Sequence, residues 1–346
     1  MNKKLRALRL IGLALSLAVA ASCGDRKDRR PPAEVPRVVL QLKWLYNAGF
    51  TGDILAQERD LWQGLEVAVR EGGPAVNAVN AVVSGQADFG VATGDQLLLA
   101  RVNGAPVVAI ALAYRRNPLV WITRRSDRIQ AAQDLRGRIV GLTYIDDEPL
   151  YRAWVGRAGL NPETDIQPTR VQFDLSPFLR GDIAAFPIFI NTQGVELANR
   201  LGADSVQFVG PEDEGIRSYS NMYFTTNRMI VERPEVVARF VDGVRRGWTL
   251  AADSPMVAAE IVTRYDRTTP AAVVRQSVDA TNRLVFPEDS SQFGLMDLEG
   301  WSSTERILRE AGVLKKPITL QEVFTNRFLQ NQTVAVSRET VTLARN

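Results

Sequence analysis

Beyond an N-terminal leader, apolar residues fall into two alternating patterns. Compact β-branched runs of four to six residues are separated by longer stretches in which apolar positions recur every three or four residues. The first pattern reads as buried strands and the second as amphipathic helices. Val38–Leu42, Leu65–Val69, Asp88–Val91 and Val107–Leu112 predict four strands, with helices over Gly52–Leu61, Asn77–Ser84 and Gly94–Val102 between them. Strand–helix alternation at this spacing predicts βαβ units and a largely parallel sheet.

A second series starts near Ser126. It predicts a short helix over Ala131–Leu135, strands over Arg138–Leu142, Thr169–Phe173, Ala184–Ile188, Val206–Val209 and Met222–Thr226, and helices over Pro149–Ala158 and Gly194–Arg200. Beyond Pro234 the pattern turns helical: Pro234–Ala252, Met256–Tyr265, Ala271–Arg283 and Leu298–Ala311. Proline at the first helical position suits the first of these. Roughly 310 residues exceed one hydrophobic core, so two α/β lobes are expected. The extended segments 120–125 and 222–227 are placed to carry the chain across and back. The expected organisation is a first lobe of residues 37–123 plus 227–330, a second lobe of 124–226, and a C-terminal tail, 331–346.

The leader bears on location. Lys3, Lys4, Arg6 and Arg9 precede an apolar run from Leu10 to Ala21, and Ala20, Ala21 and Ser22 lead into Cys23. About twelve apolar residues fall short of the roughly twenty that span a bilayer, and fit the core of a secretory signal. Residues 1–22 are therefore expected to be a signal peptide. Cys23 is the only cysteine, which excludes an internal disulfide. Its place resembles a bacterial lipobox, in which the thiol becomes a lipid-bearing N-terminus, although Ala20 stands where that pattern favours Leu. Cleavage after Ala18-Val19-Ala20, releasing a soluble chain, is the other reading. Residues 23–36, charged and Pro-rich, read as a flexible tether. Without the four leader cations the charge balance falls from 42 basic against 39 acidic residues to 38 against 39, a net −1. No basic stripe points to nucleic acid.

In open α/β sheets, ligands sit beyond the carboxyl ends of the strands, which singles out particular loops. After the first strand come Trp44, Tyr46, Asn47 and Phe50, a stacking wall for a flat ring, or, for Trp44 and Phe50, a cap on the core. Gly73, in Gly72-Gly73-Pro74, allows close backbone approach; no Gly-Lys-Ser/Thr follows, so the turn is not a P-loop. Thr93 and Asp95 open a helix whose N–H groups either hold a polar ligand group or are simply capped. Tyr114 precedes Arg115 and Arg116, which either grip an anion or stay solvated. In the second lobe, Tyr144, Asp146, Asp147 and Glu148 follow a strand, and the acids either meet ligand or complement a helix N-terminus. Asn191 follows another strand, and Tyr219 and Tyr223 flank the second crossing, placed to close over a ligand.

Three segments carry a family resemblance: Gln41-Leu42-Lys43-Trp44-Leu45-Tyr46-Asn47-Ala48-Gly49-Phe50; Gly72-Gly73-Pro74-Ala75-Val76-Asn77 continued by Val83-Ser84-Gly85-Gln86-Ala87-Asp88-Phe89-Gly90-Val91; and Leu99 to Ile110. They resemble substrate-binding proteins of ABC transporters of the thiamine-pyrimidine, sulfonate and nitrate type, a family that also includes riboflavin-binding relatives and the fungal pyrimidine synthase of thiamine biosynthesis. The resemblance implies an α/β, type II periplasmic-binding-protein fold, with two lobes joined by two crossing strands, a helical C-terminal region and a small-molecule ligand between the lobes. It further implies ABC permease subunits with an ATPase as partners; with the leader and Cys23, the expectation is an extracytoplasmic monomer held at a membrane through the Cys23 lipid. Asn191-Thr192-Gln193 stands where relatives carry Asn-Glu-Pro, so their carboxylate contact does not transfer.

The chain has no histidine, which excludes imidazole acid–base catalysis and His-ligated metals. The synthase's reliance on an active-site His and iron cannot apply. No enzyme activity, catalytic residue, cofactor or metal is expected. The aromatic and acidic inventory suits a flat heterocycle such as a thiamine pyrimidine precursor; a sulfonate, nitrate or riboflavin ligand, or a sensor domain serving a membrane partner, are the alternatives.

Overall fold

The computed structural model describes residues 35–143, 147–172, 174–287 and 293–329. Cys23, Tyr144 and Asp146, together with the leader, the tether up to residue 34 and the C-terminal tail, lie outside the described residues.

The chain opens with β1 (Arg37–Gln41), α1 (Thr51–Glu58), β2 (Glu66–Arg70), α2 (Ala78–Val83), β3 (Phe89–Ala92), α3 (Gly94–Val102) and β4 (Val107–Tyr114). There follow β5 (Leu119–Arg124), β6 (Ile139–Leu142), α4 (Glu148–Arg157), β7 (Gln167–Arg170), α5 (Ser176–Arg180), β8 (Ala185–Phe189), α6 (Val195–Leu201) and β9 (Val206–Val209). The last strand, β10 (Ser220–Thr226), leads into α7 (Asn227–Glu232), α8 (Pro234–Asp253), α9 (Pro255–Tyr265), α10 (Ala271–Val285) and α11 (Leu298–Glu310). Among the described residues no helix is long and apolar enough to cross a membrane.

The strands form two five-stranded sheets, ordered β2-β1-β3-β10-β4 and β7-β6-β8-β5-β9. In each, the parallel strands are linked by helical crossovers, and one strand runs backwards: β10 is antiparallel to β3 and β4, and β5 to β8 and β9. A parallel neighbour needs a crossover connection. A strand that enters directly from the other lobe has none, so it enters reversed. This moves the crossings. Residues 120–125 and 222–227, expected to be passages, belong mainly to paired strands, and the chain passes between sheets at 115–118 and 210–219. Asn117 and Ser218 join the two passages, with Asn117 Nδ2 donating to Ser218 Oγ at 3.0 Å.

The first sheet is covered on both faces, which is why β4 reads as a continuous apolar run with every residue buried. Helices α1, α8, α9 and α10 pack on the face that carries Leu40, Ile110 and Tyr223; α2, α3 and α11 cover Leu112, Met222 and Phe224 on the other. The contact between α1 and α8 is close enough to require glycine. A Cβ on Gly247 would overlap the carbonyl oxygen of Gly52, and one on Gly52 would enter the Trp248 ring. In the second sheet, Trp121 stacks on Trp154 of α4 with ring centroids 5.2 Å apart, while Val120 and Ile122 face a separate cluster with Phe178 and Leu197. Two prolines sit inside its strands. Pro168 is tolerated because β7 is an edge strand. Pro187 pairs with Trp121 of β5, but the ladder from β8 to β6 records only Val140 opposite Ala185, so the sheet parts on that side at the end where the cleft lies.

Candidate functional site

A cleft of about 580 Å3 is lined by both lobes. The first lobe contributes Lys43, Trp44 and Asn47 after β1, the turn around Gly73 and Asn77 after β2, Gln96 on α3, Tyr114 at the end of β4 and Asn221 at the start of β10. The second contributes Thr143 and Asp147 after β6, Phe186 to Phe189 on β8, and Thr192, Gln193, Glu196 and Arg200 on the turn and helix that follow. Nearly all of these lie at or beyond the carboxyl ends of parallel strands, where the loops leave the sheet and side chains from different connections converge.

Short backbone links hold the first wall. Gly72 N–H donates to Trp44 O at 2.9 Å, and a Cβ at Gly72 would collide with the Leu42 carbonyl; a side chain there would push the Trp44 and Gly73 loops apart. Asn47 Oδ1 accepts from Gly49 N–H at 2.7 Å, and the Tyr114 hydroxyl donates to Gly49 O at 2.6 Å. Burial pushes the Tyr114 phenol well above its ordinary range, so it stays neutral. Asn221 is 4% exposed and held at φ 45°, a left-handed conformation that asparagine tolerates better than most residues.

The charged lining is balanced: Lys43 and Arg200 against Asp147 and Glu196. Asp147 is buried and accepts from Thr143 N–H at 2.5 Å. Lys43, from the first lobe, places its ammonium 4.6 Å from the centre of the Phe189 ring of the second, a cation–π contact across the cleft. Among the described residues no group of three or more acidic or cysteine side chains is arranged to hold a metal ion.

Of the residues singled out in the sequence, Trp44, Asn47, Phe50, Gly73, Tyr114 and Asp147 line the cleft. Tyr46, Thr93, Asp95, Asn191, Tyr219 and Tyr223 do not, and the expectation that they face it is corrected. The Tyr46 hydroxyl donates to Val69 O at 2.8 Å and its ring meets Tyr265 edge-on at 5.1 Å. Tyr223 donates to Asp53 Oδ1 and accepts from Trp248 Nε1, each at 2.8 Å. Tyr219 packs on Trp301 at 5.8 Å in space that Gly300 leaves open, and its hydroxyl accepts from Asp297 N–H at 3.2 Å. Each phenol is amphipathic, and each has found an internal polar partner that lets the ring join the core. Thr93 and Asp95 are buried at the start of α3. It is Gln96, whose Oε1 accepts from Thr93 N–H at 3.2 Å, that reaches the cleft. Asn191 lies behind the cleft, between Tyr114 and Thr281. Arg115 and Arg116 are off the lining, and Arg116 pairs loosely with Glu212 at 3.8 Å.

The sequence reading missed Lys43, Gln96, Phe186, Phe189, Gln193, Glu196 and Asn221. Pro187 was the available signal for the β8 group, since a proline inside an apolar strand marks a place where pairing stops. Nothing local to Asn221 distinguishes it from a solvated asparagine.

Comparison with known proteins agrees with this architecture. The chain is 26% identical over 331 residues to riboflavin-binding protein RibY of Chloroflexus aurantiacus, covering 90% of this chain and 91% of that protein. It is 23% identical over 300 residues to 4-amino-5-hydroxymethyl-2-methylpyrimidine phosphate synthase of Legionella pneumophila, covering 85% and 92%. Its fold is similar to that of the periplasmic aliphatic sulphonate binding protein SsuA from Escherichia coli, with a TM-score of 0.68 at 15% identity over 83% of this chain and 91% of that one. This is the type II periplasmic-binding-protein fold. The family described as NMT1/THI5 like matches residues 47–258, a stretch that takes in every strand but β1 and most of the cleft lining; the chain belongs to the NMT1/THI5-like family.

Proposed function

We propose that this chain is an exported solute-binding protein that takes a flat nitrogen heterocycle into the interlobe cleft and delivers it to ABC permease subunits driven by an ATPase. In this reading the lipid on Cys23 holds the protein at the extracytoplasmic face of a membrane, and the chain works as a monomer. Its moving parts are a first lobe of 37–114 plus 220–329 and a second of 119–209.

The observation that carries the ligand class is the lining itself. Trp44, Phe186 and Phe189 offer ring surfaces, Asn47, Asn77 and Gln96 each offer amide N–H groups and the acceptor capacity left beyond the one backbone N–H their oxygens already take, Gln193 adds N–H groups, and the four charges cancel. Aromatic faces bind planar rings, and amides read their heteroatom edges. An inorganic anion or a sulfonate would instead favour several converging cations or N–H donors. The volume adds a further constraint. About 580 Å3 falls in the range that encloses drug-sized ligands, more than a single six-membered ring fills, which favours a fused heterocycle or a ring carrying a substituent. A binding role is favoured over catalysis because the chain offers no imidazole and the buried phenols near the cleft are engaged in structural hydrogen bonds.

The test is calorimetry on protein stripped of endogenous ligand by unfolding and refolding. Riboflavin or 4-amino-5-hydroxymethyl-2-methylpyrimidine should bind, whereas taurine and nitrate should not. Tight binding of taurine or nitrate, with neither heterocycle bound, would overturn the ligand class.

A further inference from the structure

Asn191 is the second residue of a π-helical turn, Ile190–Gly194, directly after β8 of the second lobe. Turns of this width are rare and concentrate at functional places. This one carries the asparagine out of its own lobe. Asn191 Nδ2 donates to Thr281 Oγ1 on α10 at 2.9 Å and approaches the Tyr114 hydroxyl at 3.5 Å, and both partners belong to the first lobe. The orientation of the amide follows from its neighbour. The Tyr114 proton is given to Gly49 O, so a group approaching that oxygen must bring a donor, which directs Nδ2 inward and leaves Oδ1 without a partner among the described residues. Asn191 is 1% exposed and Thr281 is fully buried. An amide satisfied on one side only is a costly occupant of a buried position, and an apolar side chain would fill the same space more cheaply. What the amide adds is a directional bond between the lobes. A nearby contact of similar reach, Asn199 Nδ2 to Gln276 Oε1 at 2.7 Å, is exposed and contributes little in competition with water.

We propose that Asn191 is a positioning residue, a clasp that joins the second lobe to Thr281 and Tyr114 of the first independently of ligand and so sets the balance between closed and open lobes. This rests on the two-lobed binding reading but not on the identity of the ligand. Because Tyr114 both lines the cleft and receives the clasp, the same hydroxyl ties the cleft floor to the lobe arrangement.

The experiment is small-angle scattering of the full chain without added ligand, for the parent, Asn191→Ala, Thr281→Val and the double variant. Thr281→Val keeps the volume and removes the acceptor, so it carries the test if Asn191→Ala folds poorly. Each single variant should give a larger radius of gyration than the parent, and the double variant should give no further increase, because both remove one bond. With riboflavin as probe, release should quicken about tenfold, the equivalent of one buried hydrogen bond, while the association rate stays near the parent value. Unchanged radii in both single variants, with or without a lower melting temperature, would overturn the clasp and leave Asn191 as a packing residue. Larger radii in a protein that binds neither heterocycle would leave the clasp standing and remove the ligand class.

Discussion

Replacing Asp53 by Asn should make this protein more stable at neutral and alkaline pH. Asp53 sits in the first turn of α1, 1% exposed, where α1 packs on α8. One carboxylate oxygen accepts from Tyr223, and the other has no partner among the described residues. Burial pushes the carboxyl up from 3.8 to about 7, against the pull of the Tyr223 hydrogen bond. The tyrosines around it stay protonated through this range. Burial raises Tyr46 to about 12 and holds Tyr114 and Tyr223 well above the usual phenol value. An acid whose pKa is raised on folding keeps its proton longer in the folded chain. Its stabilising contribution is therefore complete below about pH 4 and is lost as pH rises toward 7. At about 1.4 kcal/mol per pH unit, the loss is about 4 kcal/mol across the window. Asparagine has nearly the same shape, still accepts from Tyr223, and does not titrate. Urea unfolding of both proteins from pH 4 to pH 9 should show similar stability at the acid end and a variant more stable by a few kcal/mol at pH 8. A variant less stable than the parent at pH 8, or parallel pH profiles, would refute the reasoning.

Gly247→Ala should cost about 3 kcal/mol or more, seen as a lowered denaturant midpoint, because α1 and α8 must separate to admit a methyl group that overlaps the Gly52 carbonyl. Trp44→Ala should weaken heterocycle binding by about 1–3 kcal/mol in calorimetry with little change in melting temperature; Tyr223→Phe should do the reverse, losing about 2 kcal/mol of stability with affinity unchanged. The intact mass of membrane-fraction protein should show a diacylglyceryl-modified Cys23 at the N-terminus, and a soluble mature chain beginning at Ala21 would rule that out.

The alternation of strands and helices was legible because both periods are local. Val107–Leu112 or Ala271–Arg283 shows its period within a dozen residues, and the structure departs at the ends by a few positions. The loop bearing Trp44 was legible for the same reason. Legibility ended where a residue's role depended on a partner far along the chain. Residues 119–124 are extended and apolar whether they cross between lobes or pair inside a sheet; pairing with β8 and β9, some 60 to 90 residues later, made them β5. Tyr219 and Tyr223, four residues apart, would share a face in a regular strand. The left-handed Asn221 between them breaks the alternation and sends them into cores on opposite faces of the first sheet.

The sequence by itself therefore determined the class of fold, the aromatic loop and the absence of imidazole chemistry. Only the tertiary structure decided which polar side chains enter the cleft. An asparagine after a strand or a tyrosine within one satisfies its hydrogen bonds wherever a partner is nearest, and for Asn191 and Tyr223 those partners are Thr281 and Asp53, 90 and 170 residues away.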